Sequence, residues 1–290
     1  MTHVTVPTDL LPVIYDKQSL LSPDIGSVTA YDFSLANTSY ESRVAAVTKV
    51  ASICYGNPKS LGSISLFNRL QAEAAGLPSS SYEFVPVLIS MIGPDRLAYG
   101  SNVLKYSQPV IGNGKPYLLT NLRALIEDVG PEESLNYFNT SQEEIDTIRA
   151  NFKVFLFNVD LATRAQMVRH RVSWQELSRR YVSGKKTPFE FYVSDKMATL
   201  ESPTYFYTES GGTDTVDTYD LISLCVNHYD AAIEAGVKPE EARRILPQAM
   251  MTTIWGAFLP YQLDNFLTLR LDSHAQHEIR LVAEAMKESL

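Results

Sequence analysis

The sequence predicts a mixed α/β (α+β) fold, because apolar runs typical of strands and longer stretches with helical periodicity occur in the same chain. The strand evidence is an apolar run at 85–92 and a pair of apolar runs within 106–120. The pair flanks Gly112-Asn113-Gly114, and an Asn-Gly dipeptide between apolar runs is a strong hairpin signal. The helical evidence is concentrated after residue 218.

The first third of the chain contains two predicted helices. Residues 1–40 mix short apolar runs with Pro, Ser and Asn, and they predict no long helix. Over 42–55, apolar residues recur at intervals of three and four, which predicts an amphipathic helix. A second helix is predicted over 63–75, with Ser63 as its N-cap and Gly76 as its end.

The middle of the chain predicts further short elements. Residues 121–128 suit a short helix, and Ser141 with Glu144 forms a capping box, so a helix starts there and runs toward residue 155. Residues 152–167 are rich in apolar side chains and lead directly into a group of charged residues. A strand or a helix therefore ends where the charges begin.

The last third of the chain is predominantly helical in pattern. Residues 182–217 are rich in Thr, Ser, Gly and Pro and predict a surface loop with short strands. Helices are predicted over 221–236, from Pro239 onward, and over 272–288. Proline followed by two glutamates is typical of a first helical turn.

Composition excludes several classes of function. With 290 residues and 45% apolar side chains, the chain can bury a large core as one domain. A net charge of −8 argues against a broad nucleic-acid surface. The N-terminus does not resemble a signal peptide, and no window reaches about 18 uninterrupted apolar residues. We expect a cytoplasmic protein with reduced cysteines, with neither a nucleic-acid nor a membrane partner.

Positive charge is concentrated in one stretch of this acidic chain. Between Arg164 and Arg180 lie five arginines, His170, two serines and Glu176, and Tyr181 follows. Guanidinium groups match phosphate and carboxylate geometry and stay charged at any working pH. The mixture with apolar residues and hydrogen-bonding side chains favours a partly buried pocket for an anionic small molecule, with a nucleotide as the leading ligand.

Several other interpretations compete with this pocket. The arginine stretch could be a solvated helix face, and an RNA-binding patch is disfavoured by the acidic balance. His274 and His277 lie three residues apart but have no third ligand nearby, so we expect no metal site. Ser178 lacks the sequence of a hydrolase nucleophile. Arg270 ends an apolar run and suits either the anion site or a structural ion pair.

Four blocks of the sequence together resemble the motifs of the flavin-dependent thymidylate synthases. They are Gln166-x-x-Arg169-His170-Arg171 with Glu176-x-Ser178-x-Arg180-Tyr181, then Ala242-Arg243-x-x-Leu246-Pro247, then Asn265-Phe266-Leu267-x-Leu269-Arg270, and then Ala275-Gln276-x-Glu278-Ile279. Upstream, Ser80-x-x-Glu83 looks like the flavin-contacting motif of that family. The resemblance covers about residues 76–90 and 155–290.

The resemblance implies a fold, a reaction and an assembly. The fold is a single domain over residues 1–290, with a curved sheet flanked by helices and an insertion at about 91–150. The reaction is methylation of a uridine 5′-monophosphate at C5, most simply dUMP to dTMP. Methylenetetrahydrofolate supplies the carbon, FAD carries the hydride and NADPH reduces the flavin again. The assembly is a homotetramer with sites built from several subunits.

The resemblance also implies residue roles. The residues that would bind the nucleotide are Gln166, Arg169, Ser178, Arg180, Tyr181, Arg243 and Arg270, with Arg270 and Ser178 taking part in catalysis. The residues that would contact or approach the flavin are Ser80, Glu83, His170, Arg171, Glu176 and Asn265. Arg270 can stabilise negative charge on the pyrimidine, which is electrostatic catalysis.

Departures from the family pattern leave the substrate open. Six residues separate Arg171 from Ser178, one fewer than usual, and Leu259 and Tyr261 replace an asparagine and an arginine. The chain could therefore be a UMP C5-methylase of the kind found in nucleoside-antibiotic pathways, or a nucleotide-binding relative without catalysis. The insertion at 91–150 suits either an outer part of the tetramer or a cover over the site.

Overall fold

Helices and strands alternate along the chain, which the computed structural model describes over residues 17–22, 25–73, 76–93, 100–200, 204–207, 211 and 213–290. The elements up to residue 151 are β1 Lys17–Ser22, β2 Gly26–Tyr31, α1 Tyr40–Cys54, α2 Ile64–Gln71, β3 Pro86–Ser90, α3 Ser101–Lys105, β4 Gln108–Gly112, β5 Lys115–Asn121, α4 Leu122–Val129 and α5 Gln142–Asn151. Those that follow are β6 Lys153–Asp160, α6 Leu161–Met167, β7 Ser173–Glu176, α7 Asp195–Ala198, β8 Thr204–Tyr207, β9 Thr213–Val216, α8 Thr218–Glu234, α9 Pro239–Ala242, β10 Met251–Phe258, α10 Pro260–Arg270 and α11 His277–Glu288.

A five-stranded sheet organises the domain, with strand order β1-β2-β6-β10-β7 and antiparallel pairing throughout. Successive side chains of a strand point to opposite faces. In β6, Phe155 and Phe157 belong to one hydrophobic core, whereas Val154 and Leu156 pack in another. Both faces of the central strands are therefore buried, which explains why 152–167 is apolar without clear alternation.

The two cores lie on opposite faces of this sheet. One contains Phe266 of α10 and the buried stripe Ile279, Val282 and Met286 of α11. The other contains the apolar side of α1 and the strands of a second, three-stranded sheet with order β3-β5-β4. This arrangement places the start of α10 beside β7 and the edge of the second sheet.

Strands β4 and β5 of the second sheet belong to residues 100–152, here called the hairpin segment, whereas β3 precedes it. Its β4–β5 turn contains Asn113 and Gly114 with φ of 45° and 76°, the backbone that a tight two-residue hairpin turn requires. Val103, Val110 and Leu119 of this segment are buried in the main core. The segment therefore shares its core with α1 and the large sheet.

Arg43 in α1 ties the hairpin segment to the rest of the domain. Its side chain is 1% exposed and donates to the carbonyl oxygens of Ser134 and Tyr137, each at 3.0 Å. It also donates to Asn37 Oδ1 at 2.6 Å, while Asn37 donates to Asn139 Oδ1 at 2.8 Å. Burial lowers the pKa of Arg43 to about 9, so the group is still charged at neutral pH.

The predicted fold class is confirmed, since the chain forms antiparallel sheets flanked by helices. The helix expected over 42–55, the 106–120 hairpin and the capping box at Ser141 are also confirmed. The predicted C-terminal helix was wrong at its start, because 272–276 forms turns in which Asp272 accepts the N–H of His274. The helix predicted over 63–75 was too long, since α2 ends at Gln71.

Two further observations concern surfaces and ligands. None of the helices in the described ranges combines the length and apolar character that a membrane crossing requires. His274 is exposed and lies 2.8 Å from Asp272, and the described residues contain no group of three metal-ligating side chains.

Candidate active site

Five of the predicted site residues meet in one cavity of about 530 Å³, here called the arginine cavity. Its wall includes Arg169, His170, Arg171, Asn265, Leu269 and Arg270. The first three follow the end of α6, and the last three lie on α10. Residues about 100 positions apart are therefore brought together by the packing of α10 against the large sheet.

Arg270 contacts His170 directly. Its Nε donates to His170 Nε2 at 2.9 Å, and a terminal nitrogen donates to the carbonyl oxygen of Gln166 at 3.1 Å. Because Nε2 accepts this bond, the imidazole carries its proton on Nδ1 and is neutral. Burial and the positive charges of Arg270 and Arg169 lower the pKa of His170 to about 4.

A smaller cavity of about 210 Å³, here called the serine cavity, gathers four other predicted residues. Its wall includes Cys54, Ser80, Gln175, Glu176, Ser178 and Tyr181. Ser80 Oγ donates to the side-chain oxygen of Gln175, whose amide nitrogen donates to Cys54 Sγ at 2.8 Å. Burial raises the pKa of the Cys54 thiol to about 11, so the sulfur is protonated at neutral pH.

Both carboxylate oxygens of Glu176 accept hydrogen bonds from other side chains of the protein. Arg164 Nε donates to one oxygen at 2.9 Å, and the Thr252 hydroxyl donates to the other at 3.0 Å. The ion pair joins α6 to β7, and Thr252 lies on β10. Glu176 is therefore fixed in orientation before any ligand binds.

The largest of these three cavities, of about 940 Å³, lies between the hairpin segment and the start of α10. Its wall includes Glu83, Gln108, Arg123, Arg171, Tyr261 and Gln262, and the last two and Arg171 also line the arginine cavity. Arg123 donates to Glu83 and to Glu127, each at 2.8 Å. The hairpin segment thus supplies one wall of the site region and holds the Glu83 carboxylate.

Three predicted nucleotide-binding residues lie outside the walls described above. Gln166 donates to Gln276 at 2.6 Å on the surface near Arg270. Arg180 lies 3.7 Å from Glu240, and Arg243 is exposed in the turn after α9. Gln166 adjoins the arginine cavity through its carbonyl oxygen, which accepts from Arg270, whereas no described contact joins Arg180 or Arg243 to that cavity. The roles of all three residues stay predictions.

Two of the five arginines that defined the charged stretch have structural contacts instead. Arg164 pairs with Glu176, and Arg179 is 6% exposed. Arg179 donates to the carbonyl oxygens of Thr187 and Pro188 and lies over the ring of Phe189. The anion-binding capacity of the stretch therefore belongs to Arg169, Arg171 and Arg180, which are exposed.

Sequence reasoning missed the residues that position this site. These residues are Gln108, Arg123 and Gln262, and none belongs to a recognised motif. Each makes a contact with a residue at least 40 positions away in the chain. Two contacts have a local signal: the Arg123–Glu127 pair has the spacing of four on a helix, and Gln262 lies three residues after the N-cap Leu259, whose N–H it accepts.

The sequence model of the family described as "Thymidylate synthase complementing protein" matches residues 142–290, just over half of the chain. The chain belongs to this family. The match contains the loop between α6 and β7 and the helix α10, which line the arginine cavity. Most of the hairpin segment precedes it.

Known proteins of similar sequence agree with this membership. The flavin-dependent thymidylate synthase of Aquifex aeolicus (strain VF5) is 36% identical over 148 residues, which cover 48% of this chain and 45% of that protein. The proteins of the same name from Thermotoga neapolitana and Kosmotoga olearia are 36% and 31% identical, covering 46% of this chain and 59% and 60% of their own lengths. The matched part thus spans about half of these relatives. The resemblance to the flavin-dependent thymidylate synthases is confirmed at the level of the family.

Proposed function

We propose that this protein catalyses flavin-dependent reductive methylation of a uridine 5′-monophosphate at C5, with dUMP to dTMP as the first choice. The observation that carries the proposal is the arginine cavity, where Arg270 lies against a neutral His170 with Arg169, Arg171 and Asn265 around them. Family membership and the names of the relatives support the same reaction.

The residues present fit FAD. Cofactor sites of several hundred Å³ with a few placed polar groups are typical, and the largest cavity adjoins the arginine cavity through Arg171, Tyr261 and Gln262. Glu83, His170, Arg171 and Asn265 line these two spaces, and they would hold the cofactor, with Ser80 and Glu176 nearby. When bound, FAD would supply the hydride chemistry, with NADPH as the reductant of the flavin and methylenetetrahydrofolate as the source of the carbon.

The chain's own side chains supply charge and position. Arg169 and Arg180 offer exposed guanidinium groups for a phosphate, with Arg243 as a further cation. Arg270 stabilises negative charge that develops on the pyrimidine, and a neutral His170 leaves that guanidinium charge uncompensated. Ser178 and Tyr181 in the serine cavity would contact the nucleotide.

The assembly in this proposal is a homotetramer. Arg180, Arg243 and the serine cavity lie apart from the arginine cavity in one subunit. A site shared between subunits would bring them to one nucleotide, which supports the tetramer.

The decisive experiment is a substrate comparison with the purified protein. We expect a flavin absorption spectrum after incubation with FAD, and formation of dTMP from dUMP with methylenetetrahydrofolate and NADPH. Preference for UMP would replace the first choice by the UMP methylase alternative. A protein that binds no FAD and methylates neither nucleotide would contradict the proposal and favour a non-catalytic nucleotide-binding protein.

A further inference from the structure

The start of α10 lacks side-chain acceptors of the usual kind. The first N–H groups of a helix have no partner within the helix, and a Ser, Thr, Asp or Asn at the N-cap commonly accepts one of them. Here the N-cap is Leu259, whose side chain accepts nothing, and the next residue is Pro260, which has no N–H. The N–H groups of Leu259 and Tyr261 therefore need acceptors from elsewhere.

Two glutamines provide these acceptors. Gln262, one turn into the helix, accepts from the Leu259 N–H through Oε1 at 2.9 Å. Gln108 accepts from the Tyr261 N–H through Oε1, also at 2.9 Å, although it lies on β4 and is separated from Tyr261 by 153 positions. The hairpin segment thus caps a helix that belongs to the family-matched part of the chain.

The same helix start is bonded to the arginine stretch. Gln262 Nε2 donates to the carbonyl oxygen of Arg171 at 2.8 Å. The beginning of α10 is therefore connected on one side to Arg171 and on the other to β4. Both connections affect the position of one wall of the arginine cavity, because α10 carries Asn265 and Arg270.

We propose that Gln108 is a positioning residue, which fixes the start of α10 and thereby the wall of the arginine cavity that holds Asn265 and Arg270. The hairpin segment then takes part in the site through a contact to helix backbone as well as through the wall of the largest cavity. The identity of the ligands in the tests below depends on the proposed function, whereas the contact itself does not.

The first test is hydrogen–deuterium exchange of the full-length protein without ligands. Gln108→Leu keeps the size of the side chain and removes the acceptor, so we expect the Tyr261 amide to exchange roughly fivefold faster, as for the loss of a helix cap. Gln108→Glu keeps a side-chain oxygen and places negative charge at a helix start, so it should restore slow exchange. Gln142→Leu, the same change on α5 of the same segment, is the matched control and should leave α10 unchanged. Unchanged exchange at Tyr261 in Gln108→Leu would overturn the contact.

The second test asks whether the contact positions the site. We expect Gln108→Leu to weaken FAD binding roughly two- to fivefold, followed by flavin fluorescence, with recovery in Gln108→Glu and no change in Gln142→Leu. Wild-type affinity in Gln108→Leu would overturn the positioning role, and so would failure of Gln108→Glu to recover. If the wild-type protein binds no FAD, the proposed function fails, and the titration of His170 without ligand decides instead. Displacement of α10 moves Arg270 and raises the His170 pKa, whereas an unchanged pKa would overturn the proposal.

Discussion

The pair of His170 and Arg270 shows how two cationic residue types can share one small space. The imidazole ring is packed against Phe266, with ring centres 4.6 Å apart, and is 6% exposed. A charged imidazole would be both desolvated and repelled by two guanidinium groups, so the neutral form is favoured. The neutral ring then acts as an acceptor that orients Arg270 without reducing its charge.

Replacing Arg270 is expected to change the site in two measurable ways. Arg270→Met removes the nearest positive charge, so the His170 pKa, observed by NMR of the imidazole protons, should rise from about 4 toward its ordinary value. A folded-state pKa below that of the unfolded chain means that the unfolded state binds more protons. The contribution of His170 to stability is thus present above about pH 6.5 and is lost as the pH falls toward 4. This loss should be smaller in Arg270→Met.

Arg270→Met should lower the rate of methylation at least about 100-fold, as expected when a charge that stabilises a reacting oxyanion is removed. Arg280→Met on α11 is the control, since Arg280 lies away from the cavity wall and should leave both the His170 pKa and turnover unchanged. An unaltered His170 titration in Arg270→Met, with the fold intact by circular dichroism, would contradict the assigned contact.

The residue scale also shows how far the site could be predicted. Arg169, His170 and Arg171 could be singled out because an acidic chain gives no other reason for such a cluster. Arg164 and Arg179 carry the same charge in the same stretch, and only the folded chain shows that they contact Glu176 and the Thr187 carbonyl. A guanidinium that binds a ligand and one that binds the protein have identical sequence signals.

Among the elements, β10 leaves little space at Gly256. It lies between β6 and β7, and at Gly256 a side chain on the adjacent strand covers the backbone. A Cβ added there would lie 2.6 Å from the ring of Trp174 and 2.9 Å from Phe258. Glycine is needed at position 256 because the Trp174 ring packs directly against its backbone, and not because the backbone adopts a positive φ.

We expect Gly256→Ala to destabilise the protein by about 1–3 kcal/mol, because an overpacked core must shift aromatic side chains. Urea denaturation measures the free energy of unfolding. Thr253→Ala in the same strand is the control, and it should cost less than Gly256→Ala because it removes atoms without creating overlap. Equal stability of Gly256→Ala and wild type would show that Trp174 is free to move aside, contrary to the packing described.

Elements defined by local chemistry were the ones that the sequence could predict. The capping box of Ser141 and Glu144 and the turn at Asn113-Gly114 depend on residues within a few positions of each other. The strands β1 and β2 were not predicted: they pair with each other, but only the pairing of β2 with β6, more than 100 residues later, joins them to the large sheet. The hydrogen bond from the Tyr261 N–H to Gln108 could not be predicted either, because the two residues are 153 positions apart.

At the scale of the whole molecule, the separation of the predicted nucleotide residues leads to a prediction about assembly. We expect Arg270→Met and Arg243→Met each to be inactive alone, and mixtures refolded together to regain activity. If a site takes Arg270 from one subunit and Arg243 from another, random assembly from equal amounts leaves about a quarter of sites intact. Activity assays on the mixtures, with light scattering to measure the oligomeric state, test this.

The control for the mixing experiment is a double variant, Arg243→Met with Arg270→Met, mixed with wild type. A double-variant subunit supplies neither arginine, so only sites formed between two wild-type subunits should be active. Mixed tetramers of the two single variants that remain inactive would contradict a shared site.

The buried guanidinium of Arg43 has a consequence for any attempt to remove the hairpin segment from this chain. Its acceptors at Ser134 and Tyr137 belong to the hairpin segment, so a deletion of residues 100–140 would remove two of its three acceptors and leave only Asn37. A buried charge that loses its partners costs about 3–5 kcal/mol, a large share of the stability of an ordinary domain. We therefore expect a protein trimmed in this way to be more stable when Arg43 is also replaced by an apolar residue.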